Sequence, residues 1–140
     1  MNNSIIPITP GLLALLSKGQ TGISPFTQEI FLLEITVAGT GYAKDLQTVA
    51  DKMITEQVLT MKREPANAYD KYAIALYVDE VRVGYVPANL NLICSRLMDA
   101  GKLFFARIVQ SRWEGDWLNV TANIYMVEWF LASVVSVHNI

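Results

Sequence analysis

The 140-residue sequence predicts a mainly β domain with short helices, an α+β chain built around a small barrel of about six strands. Three observations carry that prediction. Apolar and polar residues alternate along Phe31, Leu33, Ile35 and Val37, and again along Leu118, Val120, Ala122, Ile124 and Met126. Clusters of Gly, Pro, Asn and Asp punctuate the alternating runs at short intervals. Stretches with helical spacing are few and short.

In chain order, Thr9-Pro10-Gly11 opens a short helix over Leu12–Gly19, with threonine as cap, Pro10 in the first turn and Gly19 at the exit. Gln20–Thr27 holds Gly, Ser and Pro and reads as a linker. The first strand starts at Phe31 and ends at Gly39. A short helix follows over Lys44–Ile54, with Leu46, Val49, Ala50 and Met53 on one side. Val58–Lys62 is the second strand and Ile74, Leu76 and Val78 mark the third. A tight Asp79-Glu80 turn leads to the fourth, with Val81, Val83 and Tyr85 on one face and Pro87 as its stop. Asn89 caps a helix carrying Leu90, Ile93, Cys94 and Leu97, closed by Gly101. Phe104–Trp113 and Trp117–Met126 form a hairpin around Glu114-Gly115-Asp116. Residues 1–30 are thus expected to be an arm packed on a barrel of residues 31–126. Residues 127–140 form an apolar tail whose Trp129, Phe130 and Leu131 require burial, on the barrel or against a partner chain.

Composition narrows the function. With 52% apolar and 17% charged residues the chain folds, and at 140 residues it suits one domain. A formal charge of −2 argues against a protein that holds long duplex DNA by charge alone, but it leaves room for a short contact with few phosphates. One cysteine, Cys94, and one histidine, His138, supply neither an internal disulfide nor a zinc cluster. There is no Ser-His-Asp set of plausible order and no Gly-x-x-x-x-Gly-Lys phosphate loop, so neither hydrolytic nor ATPase chemistry has a basis here. The expectation is a binding protein without catalysis, cofactor or metal. No apolar run is long enough to cross a bilayer, and Met1-Asn2-Asn3-Ser4 lacks the charges of a signal peptide, so a cytoplasmic protein with no membrane contact is expected.

Three blocks in fixed order stand out: Gly39-Thr40-Gly41-Tyr42, then Arg63-Glu64-Pro65-Ala66-Asn67-Ala68-Tyr69-Asp70-Lys71-Tyr72-Ala73-Ile74, then Val83-Gly84-Tyr85-Val86-Pro87. Over roughly Phe31 to Met126 this pattern resembles the HIRAN domain family. The resemblance implies an OB-like barrel, found alone in bacteria and phages or attached to helicase-like repair ATPases. Attached members bind the free 3′ end of single-stranded DNA. It therefore implies recognition of single-stranded DNA 3′-hydroxyl ends, in repair or replication.

The Tyr69-Asp70 pair is the leading site candidate. A tyrosine ring offers a base a stacking face worth about 1–3 kcal/mol. An adjacent carboxylate accepts a charge-assisted bond from a hydroxyl and repels phosphate, so together they would select a terminal nucleotide with a free sugar hydroxyl. The plainer alternative makes Asn67 and Asp70 turn residues and has Tyr69 cover the core edge. The resemblance puts Tyr42 beside the pair as a second stacking face and Tyr85 in a ligand-proximal position. It also marks a departure: some DNA-end-binding members have a basic residue just before the first tyrosine, whereas this chain has Gly41. Arg63, Lys62 and Lys71 surround the loop as phosphate contacts, with an Arg63–Glu64 ion pair as the alternative. Trp113 and Trp117 read mainly as packing across their hairpin. A metal site on Asp45, Asp70 and Glu114 has no support in spacing. The competing function is a protein-interaction module on the same fold, engaging a protein partner or a second copy through the arm and tail.

Overall fold

The structure, a computed structural model, describes the backbone of residues 25–131 and the side chains of residues 27–128. The helix expected over Leu12–Gly19 and most of the apolar tail lie outside the described residues. Six strands, β1 (Pro25–Thr36), β2 (Val58–Arg63), β3 (Ile74–Val78), β4 (Val81–Tyr85), β5 (Leu103–Glu114) and β6 (Trp117–Leu131), make one curled antiparallel sheet. Their order is β1-β6-β5-β2-β3-β4. A 3₁₀ turn spans Thr40–Tyr42, a longer 3₁₀ segment Leu46–Lys52, and one α-helix, α1, Leu92–Asp99. This is the mainly β, OB-like half-barrel that the sequence predicts. Residues Phe31–Met126 form one compact unit; a second is made of the chain on either side, of which residues 25–30 and 127–131 are described.

Alternation explains the core. Leu59 and Met61 of β2 pair with Ala106 of β5 and Leu76 of β3, and all four point inward. Leu118, Val120, Ala122 and Ile124 of β6 do the same, while the residues between them stay partly exposed. Leu59, Leu76, Ile108 and Ile124 are at most 1% exposed, each contributing about 1.5–3 kcal/mol by burial. Leu46, Val49 and Met53 from the 3₁₀ segment join this core, with Ala50 packed beside it.

The two edge strands meet. Just past the end of β1, Val37 donates its N–H to the Val120 carbonyl of β6, and Ala38 exchanges two 2.8 Å backbone bonds with Tyr85 of β4. That bridge brings the chain so near Gly84 that a Cβ there would lie 2.4 Å from Val37 Cγ1 and 2.7 Å from the Ala38 carbonyl oxygen. Only glycine fits the gap. The Asp79-Glu80 turn has both central residues left-handed (φ 48° and 69°), the twist-matched geometry of a two-residue hairpin.

Four expectations are corrected. β1 begins at Pro25, not Phe31: proline is tolerated as the first strand residue, and the exposed Thr27, Gln28 and Glu29 give no alternation to read. Phe31 is exposed, its ring edge-on to Tyr125 at 5.9 Å. Helix α1 starts at Leu92 behind Asn91 rather than at an Asn89 cap, so Leu90 and Ile93 are exposed while Cys94 and Ser95 are buried.

The fourth correction concerns β4. Leu76 pairs with Gly84 but Tyr77 pairs with Arg82, so Val83 is an extra residue. This bulge flips the alternation. Val81 and Gly84 oppose the core-facing Val78 and Leu76, whereas Tyr85 and Arg82 oppose Ala75 and Tyr77 on the other face. Tyr85 therefore does not share a face with Val81.

Candidate nucleic-acid interface

The loop from Glu64 to Ala73 joins β2 to β3, and its backbone is held by its own polar side chains. The Asn67 Oδ1 accepts the N–H groups of Tyr69 (2.8 Å) and Asp70 (3.0 Å), and Asp70 Oδ1 accepts that of Tyr72 at 2.8 Å. These are side-chain-to-backbone turns that Asn and Asp are suited to make. Their result is to hold Tyr69 outward, 98% exposed. Tyr69 thus does not cover the core edge.

Asp70 is fixed at its other oxygen as well. Asn91, 2% exposed and standing just before α1, donates from Nδ2 to Asp70 Oδ2 at 2.8 Å. Each carboxylate oxygen accepts one bond and retains further acceptor capacity. Arg63 secures the loop from below. Its Nε and Nη2 donate to Asp99 of α1 at 2.9 and 3.2 Å, its Nη1 to the Ala73 carbonyl at 2.7 Å and its Nη2 to the Lys71 carbonyl at 3.0 Å. The alternative Arg63–Glu64 pair does not form. Glu64 Oε1 instead accepts from Asn67 Nδ2 (3.0 Å) and from the Tyr85 hydroxyl (2.8 Å).

Tyr85 stands on the bulge-defined face of β4. Burial, then the bond to Glu64, push its phenol pKa above the ordinary value. Arg82 Nη1 donates to the same hydroxyl at 3.3 Å, with its guanidinium carbon 5.4 Å from the ring centroid. Across from it, the end of β1 turns at Gly39, left-handed at φ 76°, a conformation that favours glycine. The buried Thr40 donates from Oγ1 to the Leu118 carbonyl at 2.7 Å, anchoring the turn. Tyr42 is left 88% exposed.

These pieces enclose a cavity of about 540 Å³ lined by Gly39, Tyr42, Asn67, Tyr69, Asp70, Arg82 and Tyr85, with Ala38, Ala73, Val86 and Ala88 as its apolar wall. Four residues expected from the sequence, Tyr42, Tyr69, Asp70 and Tyr85, come together here. Arg63 and Lys71 do not line it. Arg63 is committed to the loop carbonyls and Asp99, and the Lys71 ammonium lies 5.3 Å from the Tyr72 ring centroid. Lys62 is likewise elsewhere, on Glu80 at 3.6 Å and over the Tyr77 ring at 4.3 Å. The sequence marks Asn67 as a turn residue, and its Asn-x-Tyr-Asp spacing is also the signal for its place at the cavity. Arg82, Glu64 and Asn91 were not singled out for this site; Arg82 depends on a bulge and Asn91 on a contact across 21 residues. Trp113 and Trp117 are partly exposed at 45% and 39%, Trp117 lying beside Gly41. Among the described residues no group of three or more His, Cys, Asp or Glu side chains could hold a metal ion, and no helix is long and apolar enough to cross a membrane.

The chain matches known proteins in fold and in family. A protein from Lactobacillus plantarum of known crystal structure superposes with a TM-score of 0.67 at 20% identity, covering 74% of this chain and 99% of that one. The HIRAN domain of human HLTF superposes with a TM-score of 0.50 at 20% identity, covering 72% of this chain and 78% of that one. No curated protein matches the sequence. The HIRAN domain pattern itself runs over residues 30–128, most of the length, and contains every residue of the cavity. The chain belongs to the HIRAN domain family.

Proposed function

We propose that this HIRAN domain binds the 3′-hydroxyl end of single-stranded DNA in the cavity between Tyr42 and Tyr69, without catalysis, in a repair or replication setting. Family membership supports a nucleic-acid-binding module. The observation that carries the finer reading is a pair of almost fully exposed tyrosines, 88% and 98%, lining one cavity with a hydrogen-bonded carboxylate. Large aromatic rings left in water have no role in packing, and they suit unpaired bases. A volume near 540 Å³ falls within the range of small-ligand sites, about 300–1,000 Å³, and favours one or two nucleotides over a duplex. Asp70 accepts the terminal hydroxyl and turns a phosphate away.

The test is a fluorescence-anisotropy titration with a short 5′-labelled oligonucleotide ending in a 3′-hydroxyl or a 3′-phosphate. Two like charges near 4 Å repel by about 1 kcal/mol in water and about 4 kcal/mol at intermediate dielectric. The hydroxyl end should therefore bind about fivefold to several-hundredfold more tightly, and Asp70→Asn should narrow the gap. Equal affinity for both ends refutes end recognition. No binding to any oligonucleotide would favour the protein-interaction module instead.

A further inference from the structure

We infer that Arg82 is the phosphate ligand of this cavity, gripping the last phosphodiester of a strand whose terminal nucleotide sits between Tyr42 and Tyr69. The inference rests on the single-strand reading above and adds the residue that holds the backbone.

Arg82 reaches the cavity only because of the Val83 bulge. Residues three apart on a regular strand point to opposite faces, yet here Tyr77 pairs with Arg82 and Ala75 with Tyr85, which sets Arg82 and Tyr85 side by side. Among the described residues lining the cavity, Arg82 alone is cationic. It is also exposed, and it forms no ion pair with any described carboxylate. The nearest relay to an acid runs through a phenol. Arg82 Nη1 donates to Tyr85 Oη at 3.3 Å, and that hydroxyl donates onward to Glu64 at 2.8 Å. Tyr85 therefore orients the guanidinium without neutralising it. The long 3.3 Å bond uses one of five N–H groups, leaving a planar fork free for two phosphate oxygens. A strand lying on two tyrosines needs a cation at its backbone, and Gly41 supplies none. Arg82 does.

The experiment uses the full chain and a short 5′-labelled oligothymidylate with a 3′-hydroxyl, beside a twin whose last linkage is an uncharged methylphosphonate. Arg82→Gln should weaken binding of the native oligonucleotide tenfold or more, on the order expected for a charge-assisted bond. It should lower the slope of log K against log salt by about 0.7, one phosphate's worth for a single strand. The methylphosphonate should weaken the wild-type protein by a similar factor and leave Arg82→Gln unchanged, and Arg82→Lys should recover part of the loss. An unaltered melting temperature separates these effects from misfolding.

Arg82→Gln binding as wild type, or a methylphosphonate that costs the wild-type protein nothing, overturns the inference while end discrimination can still stand. If Arg82 and the linkage are coupled but the 3′-phosphate is tolerated, Arg82 stands and end recognition falls. A wild-type chain that binds neither oligonucleotide overturns both.

Discussion

Replacing Gly84 with alanine perturbs the bridge by which the two edges of the sheet touch. The added Cβ would sit 2.4 Å from Val37 Cγ1 and 2.7 Å from the Ala38 carbonyl oxygen. Val37 is 2% exposed and the carbonyl is backbone, so neither has a flexible end that can swing aside. Either the core is overpacked, at about 1–3 kcal/mol, or the edges separate. Separation breaks the two 2.8 Å bonds between Ala38 and Tyr85, at about 0.5–1.5 kcal/mol each. Both routes give a loss of roughly 1–3 kcal/mol. For a domain of this size that lowers the melting temperature by about 3–15 °C, readable by circular dichroism or calorimetry. The bridge also carries Ala38, Gly39 and Tyr85, which line the cavity, so oligonucleotide affinity should fall in the same variant. A melting temperature within a degree or two of wild type would show that the edges do not meet as described.

Three further outcomes are expected. Tyr69→Ala should weaken single-strand binding by about 1–3 kcal/mol in an anisotropy titration while leaving thermal stability unchanged, since the ring is 98% exposed. Early melting with intact binding would instead make Tyr69 a packing residue. Arg63→Gln should destabilise the fold by about 1.5–3 kcal/mol, mostly through the Ala73 and Lys71 carbonyls rather than the half-exposed Asp99, with hydrogen exchange rising across residues 64–73. Because burial and Glu64 raise the Tyr85 pKa, the folded state favours the neutral phenol: its contribution to stability is complete below the unfolded tyrosine pKa and is lost as pH climbs through the higher folded value. Ultraviolet titration should show one late-ionising tyrosine that disappears in Tyr85→Phe, with part of the alkaline loss of stability; no change in either would contradict the Tyr85–Glu64 bond.

The strands were legible where one face is buried and the other wet. β2 and β6 satisfy that condition, so period-two alternation marks them directly, whereas β3 is buried at four of its five positions and is marked by its β-branched and apolar run between turns. The spacing of Leu46, Val49, Ala50 and Met53 predicts a helix over Lys44–Ile54. The structure has a 3₁₀ run over Leu46–Lys52 broken at Val49 (φ −123°), and that kink, which no spacing of apolar residues marks, still leaves Leu46, Val49 and Met53 on the core side. The Val83 bulge is hidden in the sequence, because Val81-Arg82-Val83-Gly84-Tyr85 alternates as a regular strand would. Tyr69 and Asp70 stand out as an aromatic beside a carboxylate in a polar loop, and Tyr42 and Tyr85 through the family pattern. Their supports could not be read at all. Asn91 to Asp70 spans 21 residues and Arg63 to Asp99 spans 36, separations at which only the folded sheet makes neighbours.

The Asn67 and Asp70 turns have a kinetic consequence. Three backbone N–H groups of the loop, those of Tyr69, Asp70 and Tyr72, are satisfied by side chains of the loop itself. Ordering of the segment accompanies folding and is not deferred to the moment of encounter. Association should then run at the rate of an orientation-limited collision, about 10⁵–10⁷ M⁻¹s⁻¹, with no slow rearrangement phase. Discrimination between strand ends would reside in how long each complex lasts, so competing ends would be sampled quickly and the wrong ones released early.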